Sequence, residues 1–88
     1  MKKLTTTKGF LKHYKKRISE KDDEIFKYVV EKLLKDEKLE RKFKDHQLSG
    51  ELREFRECHL KSDLLLIYQV FEDEIRLIDI GSHAQLFR

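Results

Sequence analysis

The sequence predicts one α+β domain spanning residues 1–88, in which two N-terminal helices cover a mostly antiparallel sheet of about four strands. Apolar residues recur at helical spacing through much of the first half of the chain. Three short runs rich in aliphatic and aromatic residues follow in the second half, separated by brief polar segments. A chain of 88 residues has room for one such core and little else, so the expected element order is β-α-α-β-β-β.

The first predicted element is a short edge strand from Lys2 to Thr6. A helix follows; it begins after Thr7, whose residue type caps helix N-termini, and ends near Ile18. At helical spacing, four apolar residues share one side: Phe10, Leu11, Tyr14 and Ile18. The opposite side carries a basic ridge: Lys8, Lys12, Lys15 and Lys16. This ridge could bind RNA phosphates, or it could be an ordinary solvated helix face.

A second helix is predicted from Ser19 onward over about 15 residues. Ser19 and Asp22 have the spacing of a capping box, and acidic residues in the first turn complement the helix dipole. An apolar stripe follows at helical spacing: Phe26, Val29, Val30, Leu33 and Leu34. We assign this stripe to the core and give the helix no catalytic role.

A charged connection from Glu37 to Leu52 contains His46 and separates the helices from the main sheet. Three strands are then expected: Phe55 to Leu60, Leu64 to Phe71, and Ile75 to Ile80. The short polar segments between them imply an antiparallel meander. The middle strand begins with an uninterrupted apolar run, so we expect it at the centre of the sheet, covered by the helices.

Charge and composition bound the possible functions. Residues 1–46 hold 15 Lys/Arg against 9 Asp/Glu, and residues 47–88 hold 5 against 8, so the halves carry +6 and −3. The basic half suits a polyanionic partner. No apolar run could cross a bilayer or form a signal-peptide core after Leu4, so we expect a cytoplasmic protein without a membrane partner. The single cysteine, Cys58, cannot form an intramolecular disulfide, and we expect a small buried apolar residue rather than a catalytic thiol.

Side chains able to transfer protons recur in the second half of the chain: His46, His59, Asp63 and His83, with Phe87 following the last of them. RNA supplies its own nucleophile, the 2′-hydroxyl, so its cleavage needs only a base, an acid and positive charge near the phosphate. Imidazoles suit both proton transfers at neutral pH. Each residue also has a structural interpretation, as a strand histidine, a turn cap or an aromatic anchor for the tail.

A metal centre is the less favoured interpretation of these side chains. The three histidines, together with Cys58, could in principle hold zinc: His46, Cys58, His59 and His83. Their spacing is not that of ligand pairs, and residues 58 and 59 of a strand point to opposite faces. The sequence also lacks a Gly-rich phosphate loop, a serine nucleophile elbow and a carboxylate cluster for magnesium. We therefore expect no cofactor and no metal.

Several motifs follow one another along the chain: Asp45-His46-x-Leu48-x-Gly50, Phe55-Arg56-Glu57-x-His59, Asp63 and Gly81-Ser82-His83-x-x-Leu86-Phe87. Together with the order of elements, they resemble the YafQ-type toxins of the RelE superfamily. The resemblance implies a RelE-like fold and a toxin of a bacterial type II toxin–antitoxin pair that cuts mRNA, commonly on the ribosome. It also implies a small cognate antitoxin protein as a partner.

The resemblance places five residues where that family has its active site: His46, His59, Asp63, His83 and Phe87. We expect His83 to act as general acid and His46 or His59 as base. Asp63 would orient or assist a base, and Phe87 would stack on a nucleobase. Arg56 would stabilise the phosphate, unless it is only a salt-bridge partner. Two alternatives stay open: a non-catalytic module that binds RNA or a protein, and a gyrase-directed toxin of the same superfamily, which the histidine set disfavours.

Overall fold

The computed structural model describes residues 1–87, and within them it contains five strands and three α-helices. The strands are β1 (Lys3–Thr6), β2 (His46–Gln47), β3 (Arg56–Lys61), β4 (Leu64–Val70) and β5 (Glu74–Gly81). The helices are α1 (Lys8–Arg17), α2 (Glu20–Leu34) and α3 (His83–Leu86). The predicted α+β class is confirmed, with one more strand than expected and a short helix after the last strand.

The strands form one sheet in the order β1-β5-β4-β3-β2, so β4 lies at the centre as predicted. β3, β4 and β5 form the expected antiparallel meander. β1 is an edge strand, and it pairs in parallel with β5, placing Leu4 opposite Ile75. β2 forms the other edge and pairs His46 with Glu57. The sequence does not predict β2, because two residues show no alternation and only pairing with β3 makes them a strand.

Both long helices begin at the residues that the sequence predicts. The Thr7 hydroxyl accepts a hydrogen bond from the Phe10 amide at 3.0 Å. The Ser19 hydroxyl accepts one from the Asp22 amide at 3.2 Å, so each cap satisfies an N–H group that lacks a partner inside its helix. The Asp22 carboxylate also lies 3.0 Å from Lys61 Nζ, which ties the start of α2 to the end of β3. None of the described helices is long and apolar enough to cross a membrane.

One face of the sheet packs against α2 and the apolar side of α1. The buried residues of this core include Phe10, Val29, Val30, Leu33, Leu66, Tyr68, Leu77 and Ile80. Leu11, which the helical pattern places on the apolar side of α1, is instead 50% exposed. α1 packs mainly against β5, and the Thr7 hydroxyl before it donates to the Ile78 carbonyl oxygen at 2.8 Å. Phe10 is the buried residue of this helix. Only a narrow stripe of α1 therefore reaches the core.

The opposite face of the sheet is covered by the segment before β3 and by α3. Leu65 and Ile67 of β4 are buried on this second face, because neighbouring strand residues alternate between the two faces. Their cross-strand partners on β3 are His59 and Glu57. The second face therefore holds titratable side chains beside an apolar floor.

Candidate active site

Three histidines from three separate elements meet on the second face of the sheet. His46 comes from β2, His59 from β3 and His83 from α3. The ring centroids of His46 and His59 are 6.5 Å apart, and those of His59 and His83 are 5.7 Å apart. The Phe87 ring follows at 6.3 Å from the His83 ring. These four side chains, which we call the histidine row, are all site residues in the sequence-based prediction.

Glu57 joins two members of the histidine row and has no role in the sequence-based prediction. Its Oε2 lies 3.0 Å from His46 Nε2 and 3.8 Å from His59 Nε2. The residue is only 6% exposed, so this carboxylate is nearly buried between the two rings. The sequence does indicate that Glu57 lies beside His59, because the two residues are two positions apart and therefore share one face of a strand. The pairing of Glu57 with His46 depends on β2, which the sequence does not reveal.

His59 lies in the middle of the histidine row and is shielded from solvent. Burial lowers the pKa of its imidazole, and the positive charge of Lys44 and of the neighbouring histidines lowers it further. The Glu57 carboxylate acts in the opposite direction and offsets part of this effect. His59 is therefore held as a neutral imidazole near neutral pH, which is the form that accepts a proton.

Asp63 and His83 form an exposed pair at the end of the row. Asp63 lies in the turn between β3 and β4, and its Oδ1 accepts a hydrogen bond from the His83 amide at 3.1 Å. The same oxygen lies 3.2 Å from His83 Nδ1. These two contacts lower the pKa of Asp63, so its carboxylate is ionised at neutral pH and fixes the orientation of the His83 ring. No group within residues 1–87 bonds His83 Nε2, which leaves that nitrogen available to a substrate.

Phe87 follows α3 and forms part of the wall of an apolar cavity beside the row. Its amide donates to the His83 carbonyl oxygen at 2.8 Å, which continues the helical turn and fixes the spacing of the two rings. The cavity has a volume of about 230 Å³, and its apolar walls include Leu48, Leu52, Phe55, Ile67, Leu86 and Phe87. The ring itself is 41% exposed and can present a face to a planar ligand.

Arg56 does not reach the histidine row. Neighbouring residues of β3 alternate between faces, so Arg56 points to the face opposite Glu57 and His59. Its Nη2 lies 3.4 Å from Asp45 Oδ2, and its Nε donates to the Tyr68 hydroxyl at 3.4 Å. Its observed contacts are those of a salt-bridge partner on the helix side of the sheet.

Cys58 is also on the helix side, which separates it from the imidazoles. The thiol is fully buried, and burial raises its pKa, so the predicted small apolar role is confirmed. A preformed metal site needs converging donor side chains. Within residues 1–87, no group of three or more His, Cys, Asp or Glu side chains has a geometry that could hold a metal ion.

The basic ridge of α1 is exposed to solvent along its whole length. α1 packs mainly along β5, and the described contacts do not join the lysines of the ridge to the histidine row. The predicted role of these four lysines in substrate binding therefore stays a prediction.

Comparison with known proteins places this arrangement in a family. Residues 2–88 match the family model described as bacterial toxin of type II toxin-antitoxin system, YafQ. The mRNA interferase toxin YafQ of Escherichia coli K12 is 38% identical over 45 residues, which are 51% of this chain and 49% of that protein. The putative toxin YafQ of Haemophilus influenzae is 43% identical over 47 residues, 49% of this chain and 46% of that protein. The chain thus spans about half the length of the curated relatives it matches.

Solved structures share the fold over nearly the whole chain. A copper-bound mutant toxin from Helicobacter pylori is 40% identical with a TM-score of 0.91, covering 99% of this chain and 100% of that one. A metal-bound toxin from the same organism is 41% identical with a TM-score of 0.84 and the same coverage. The E. coli DinJ–YafQ complex is 26% identical with a TM-score of 0.86, covering 100% of both chains. Given the family match and these likenesses, the chain belongs to the YafQ family of bacterial toxins of type II toxin–antitoxin systems.

Proposed function

We propose that this toxin is a metal-independent endoribonuclease that cuts mRNA on the ribosome. The observation that supports this most strongly is the histidine row, in which a shielded, neutral His59 stands beside an exposed His83 held by Asp63. Two imidazoles in different environments can divide the roles of base and acid. The E. coli relatives are named mRNA interferase toxins, which is consistent with the same activity.

In the proposed reaction, the neutral imidazole of His59 takes the proton of the RNA 2′-hydroxyl. The 2′-oxygen then forms a bond to phosphorus, and the bond from phosphorus to the 5′-oxygen breaks. His83 donates a proton from Nε2 to that leaving oxygen, while Asp63 holds the ring at Nδ1. The products are a 2′,3′-cyclic phosphate and a 5′-hydroxyl, so the proton taken from one oxygen is balanced by the proton given to the other.

Other residues of the site hold the reacting groups or the RNA. Glu57 lies between the rings of His46 and His59 and holds them in position. His46, at the end of the row, contributes positive charge when protonated. Phe87 stacks on a nucleobase beside the cut phosphate. The basic ridge contacts RNA or ribosomal phosphates through exposed lysines. We do not extend this proposal to Arg56, because its guanidinium is bound to Asp45 on the other face.

The cognate antitoxin is the proposed protein partner. The E. coli DinJ–YafQ toxin–antitoxin complex contains a chain of the same fold. A first half with a formal charge of +6 favours an acidic partner segment. Such a segment would compete with RNA for the basic ridge or cover the histidine row.

The two metal-containing toxin structures make metal dependence worth a direct test. The proposed reaction uses imidazoles as base and acid, so none of its steps needs a metal. Within residues 1–87, no group of three or more His, Cys, Asp or Glu side chains could hold a metal ion. Cleavage is therefore expected to continue when trace transition metals are removed by a selective chelator and magnesium is kept for the ribosome. Activity that disappears on chelation and returns with one added transition metal would contradict metal independence.

The proposal is tested by adding the purified toxin to a translating ribosome–mRNA system and mapping new RNA 5′ ends. The parent should produce cuts in phase with codons, and a folded His83→Ala variant should lose at least about 100-fold of the rate, because the leaving oxygen has no acid. Ala84→Ser, at the next position on the same exposed helix, serves as the matched control. No cuts by a folded parent would favour the non-catalytic binding module; blocked DNA replication with intact RNA would favour the gyrase-directed alternative.

A further inference from the structure

A cation outside the basic ridge reaches β5, the strand that precedes α3 and His83. Arg17, the last residue of α1, donates from Nη1 to the Ile80 carbonyl oxygen of β5 at 2.8 Å. The same nitrogen lies 3.9 Å from Asp79 Oδ1, an oxygen that also contacts His13 Nδ1 at 2.6 Å. The Arg17 side chain is only 17% exposed, so the guanidinium is packed against β5 and does not extend into solvent. α1 is therefore fastened to the end of β5, three residues before His83.

Gly81 shows how closely the Arg17 guanidinium approaches this junction. A Cβ atom at residue 81 would lie 2.6 Å from Arg17 Nη1 and 2.7 Å from Gln85 Oε1, both too close for a real contact. Gly81 is not in the left-handed region, so a side chain at this position would be opposed by the ends of the Arg17 and Gln85 side chains and not by the backbone angle. The backbone of residue 81 is thus held between α1 and α3.

The helix that begins at this junction is too short to be stable without such support. α3 has four residues, far fewer than an isolated helix needs in water. Ser82 and Gln85 form a capping box, in which the Ser82 amide donates to Gln85 Oε1 at 2.8 Å and the Gln85 amide donates to Ser82 Oγ at 3.2 Å. His83 is the first residue of this helix, so any displacement of the junction moves its ring.

We propose that Arg17 is a positioning residue for His83. By holding the Ile80 carbonyl oxygen and packing on Gly81, its guanidinium fixes where α3 begins, which allows the His83 amide and ring to meet Asp63. The consequence for cleavage rests on the proposed function, because His83 is the acid of that reaction. The consequence for the order of α3 does not, and it can be measured without RNA.

The first test replaces Arg17 by methionine, which keeps an unbranched apolar stem and removes the guanidinium. We expect amide hydrogen exchange to accelerate at least about tenfold at His83 and Gln85, while exchange in α2 and β4 stays at the parent rate. In the cleavage assay, kcat should fall about 10- to 100-fold with little change in KM, because a misplaced acid affects the transition state more than binding. Arg17→Lys should recover part of both effects.

Lys21→Met is the matched control, since Lys21 is an exposed lysine of α2 that lies outside the basic ridge. If the amides of His83 and Gln85 exchange in Arg17→Met at the same rates as in the parent, the positioning role is overturned. If the parent itself cuts no RNA, the proposed function fails, and the exchange rates still decide whether Arg17 orders α3.

A second variant disturbs the contact between Arg17 and residue 81 by changing Gly81 instead of Arg17. Gly81→Ala places a methyl group 2.6 Å from Arg17 Nη1 and 2.7 Å from Gln85 Oε1, so one or both side chains must move, which should loosen α3 and lower kcat without removing any charge. In the Arg17→Met background, the same methyl group should cause a smaller additional loss, because only the clash with Gln85 is left. Fully additive effects of the two substitutions on exchange and on kcat would show that they act separately and would contradict the proposal. Gly81→Ala also tests the contact by itself if Arg17→Met does not fold.

Discussion

His59 and His83 are the same residue type in two different environments. The His59 side chain is 15% exposed and shares the buried Glu57 carboxylate with His46, whereas the His83 side chain is 57% exposed and faces the ionised Asp63. Burial disfavours the charged form of His59, so it suits the base of the proposed reaction. The two imidazoles are chemically identical, so their different roles in the proposed reaction come from the different burial and neighbours that the fold gives them.

Glu57→Gln should shift the acidic limb of the cleavage pH profile to lower pH. The carboxylate raises the pKa of His59 against the effect of burial, so its neutral replacement should lower that pKa further. His59 would then stay deprotonated, and active as a base, in more acidic solution. The measurement is kcat/KM against pH, with an NMR titration of the His59 ring.

Glu54→Gln is the control for Glu57→Gln, because Glu54 is exposed in the turn before β3. An acidic limb that stays in place, or moves to higher pH, would show that Glu57 does not tune His59.

At single positions, the sequence predicts which residues belong to the candidate site better than it predicts to which face of the sheet their side chains point. The resemblance to the YafQ-type toxins identifies His46, His59 and His83 as site residues, and the structure brings these three together. The sequence alone does not identify Glu57 as their partner or show that Arg56 points away from the histidine row. Both features follow from the alternation of side chains once the limits of β3 are known. The difference arises because facing depends on strand pairing, which is a long-range property of the chain.

The secondary-structure elements whose signals are local are the ones that the sequence predicts well. α1 and α2 begin after Thr7 and Ser19 as expected, because a cap and an apolar stripe are encoded within one segment. α3 also carries a local signal, the Ser82-x-x-Gln85 capping box, but its four residues show no helical periodicity. The parallel pairing of β1 with β5 has no local signal, since its partners are 71 positions apart, as in Leu4 and Ile75.

Ser19→Ala should lower the free energy of unfolding by about 0.5–2 kcal/mol, because it removes the side-chain cap of α2. The rate of RNA cleavage per folded molecule should not change, since α2 packs on the face of the sheet opposite the histidine row. Chemical denaturation measures the first quantity, and single-turnover cleavage measures the second. Ser49→Ala is the matched control, because the Ser49 side chain makes no cap hydrogen bond. Reduced cleavage by fully folded Ser19→Ala would contradict the separation of the two faces.

Charge reversal on the basic ridge should weaken binding to RNA or ribosomes and reduce its dependence on salt. Each lost phosphate contact should lower the slope of log affinity against log salt concentration by roughly 0.7–0.9, because fewer counterions are released. The variant replaces Lys12, Lys15 and Lys16 by glutamate. Its control carries the same charge change at three lysines that are exposed outside α1: Lys3, Lys21 and Lys38. Equal slopes for the two triple variants would show that the ridge is only a solvated helix face.

At the scale of the whole molecule, one sheet separates the main apolar core from the candidate active site. The face toward α1 and α2 buries the main core, and the second face presents the histidine row beside Leu65 and Ile67. The α+β class follows from segment patterns in the sequence, but the assembly of the row does not. It requires β2, the turn that carries Asp63 and α3 to converge, and the pairing of β2, β3, β4 and β5 in one sheet brings about this convergence.

The central claim is that two histidines of the row cut RNA by activating its 2′-hydroxyl, and the chemistry of the new RNA ends tests this most directly. mRNA recovered from translating ribosomes treated with the parent, His59→Ala or His83→Ala would be analysed for terminal groups. Cleavage through the 2′-hydroxyl should leave 5′-hydroxyl and 2′,3′-cyclic phosphate ends with the parent and very few with either variant. New 5′-phosphate ends, or undiminished cutting by both variants, would contradict it.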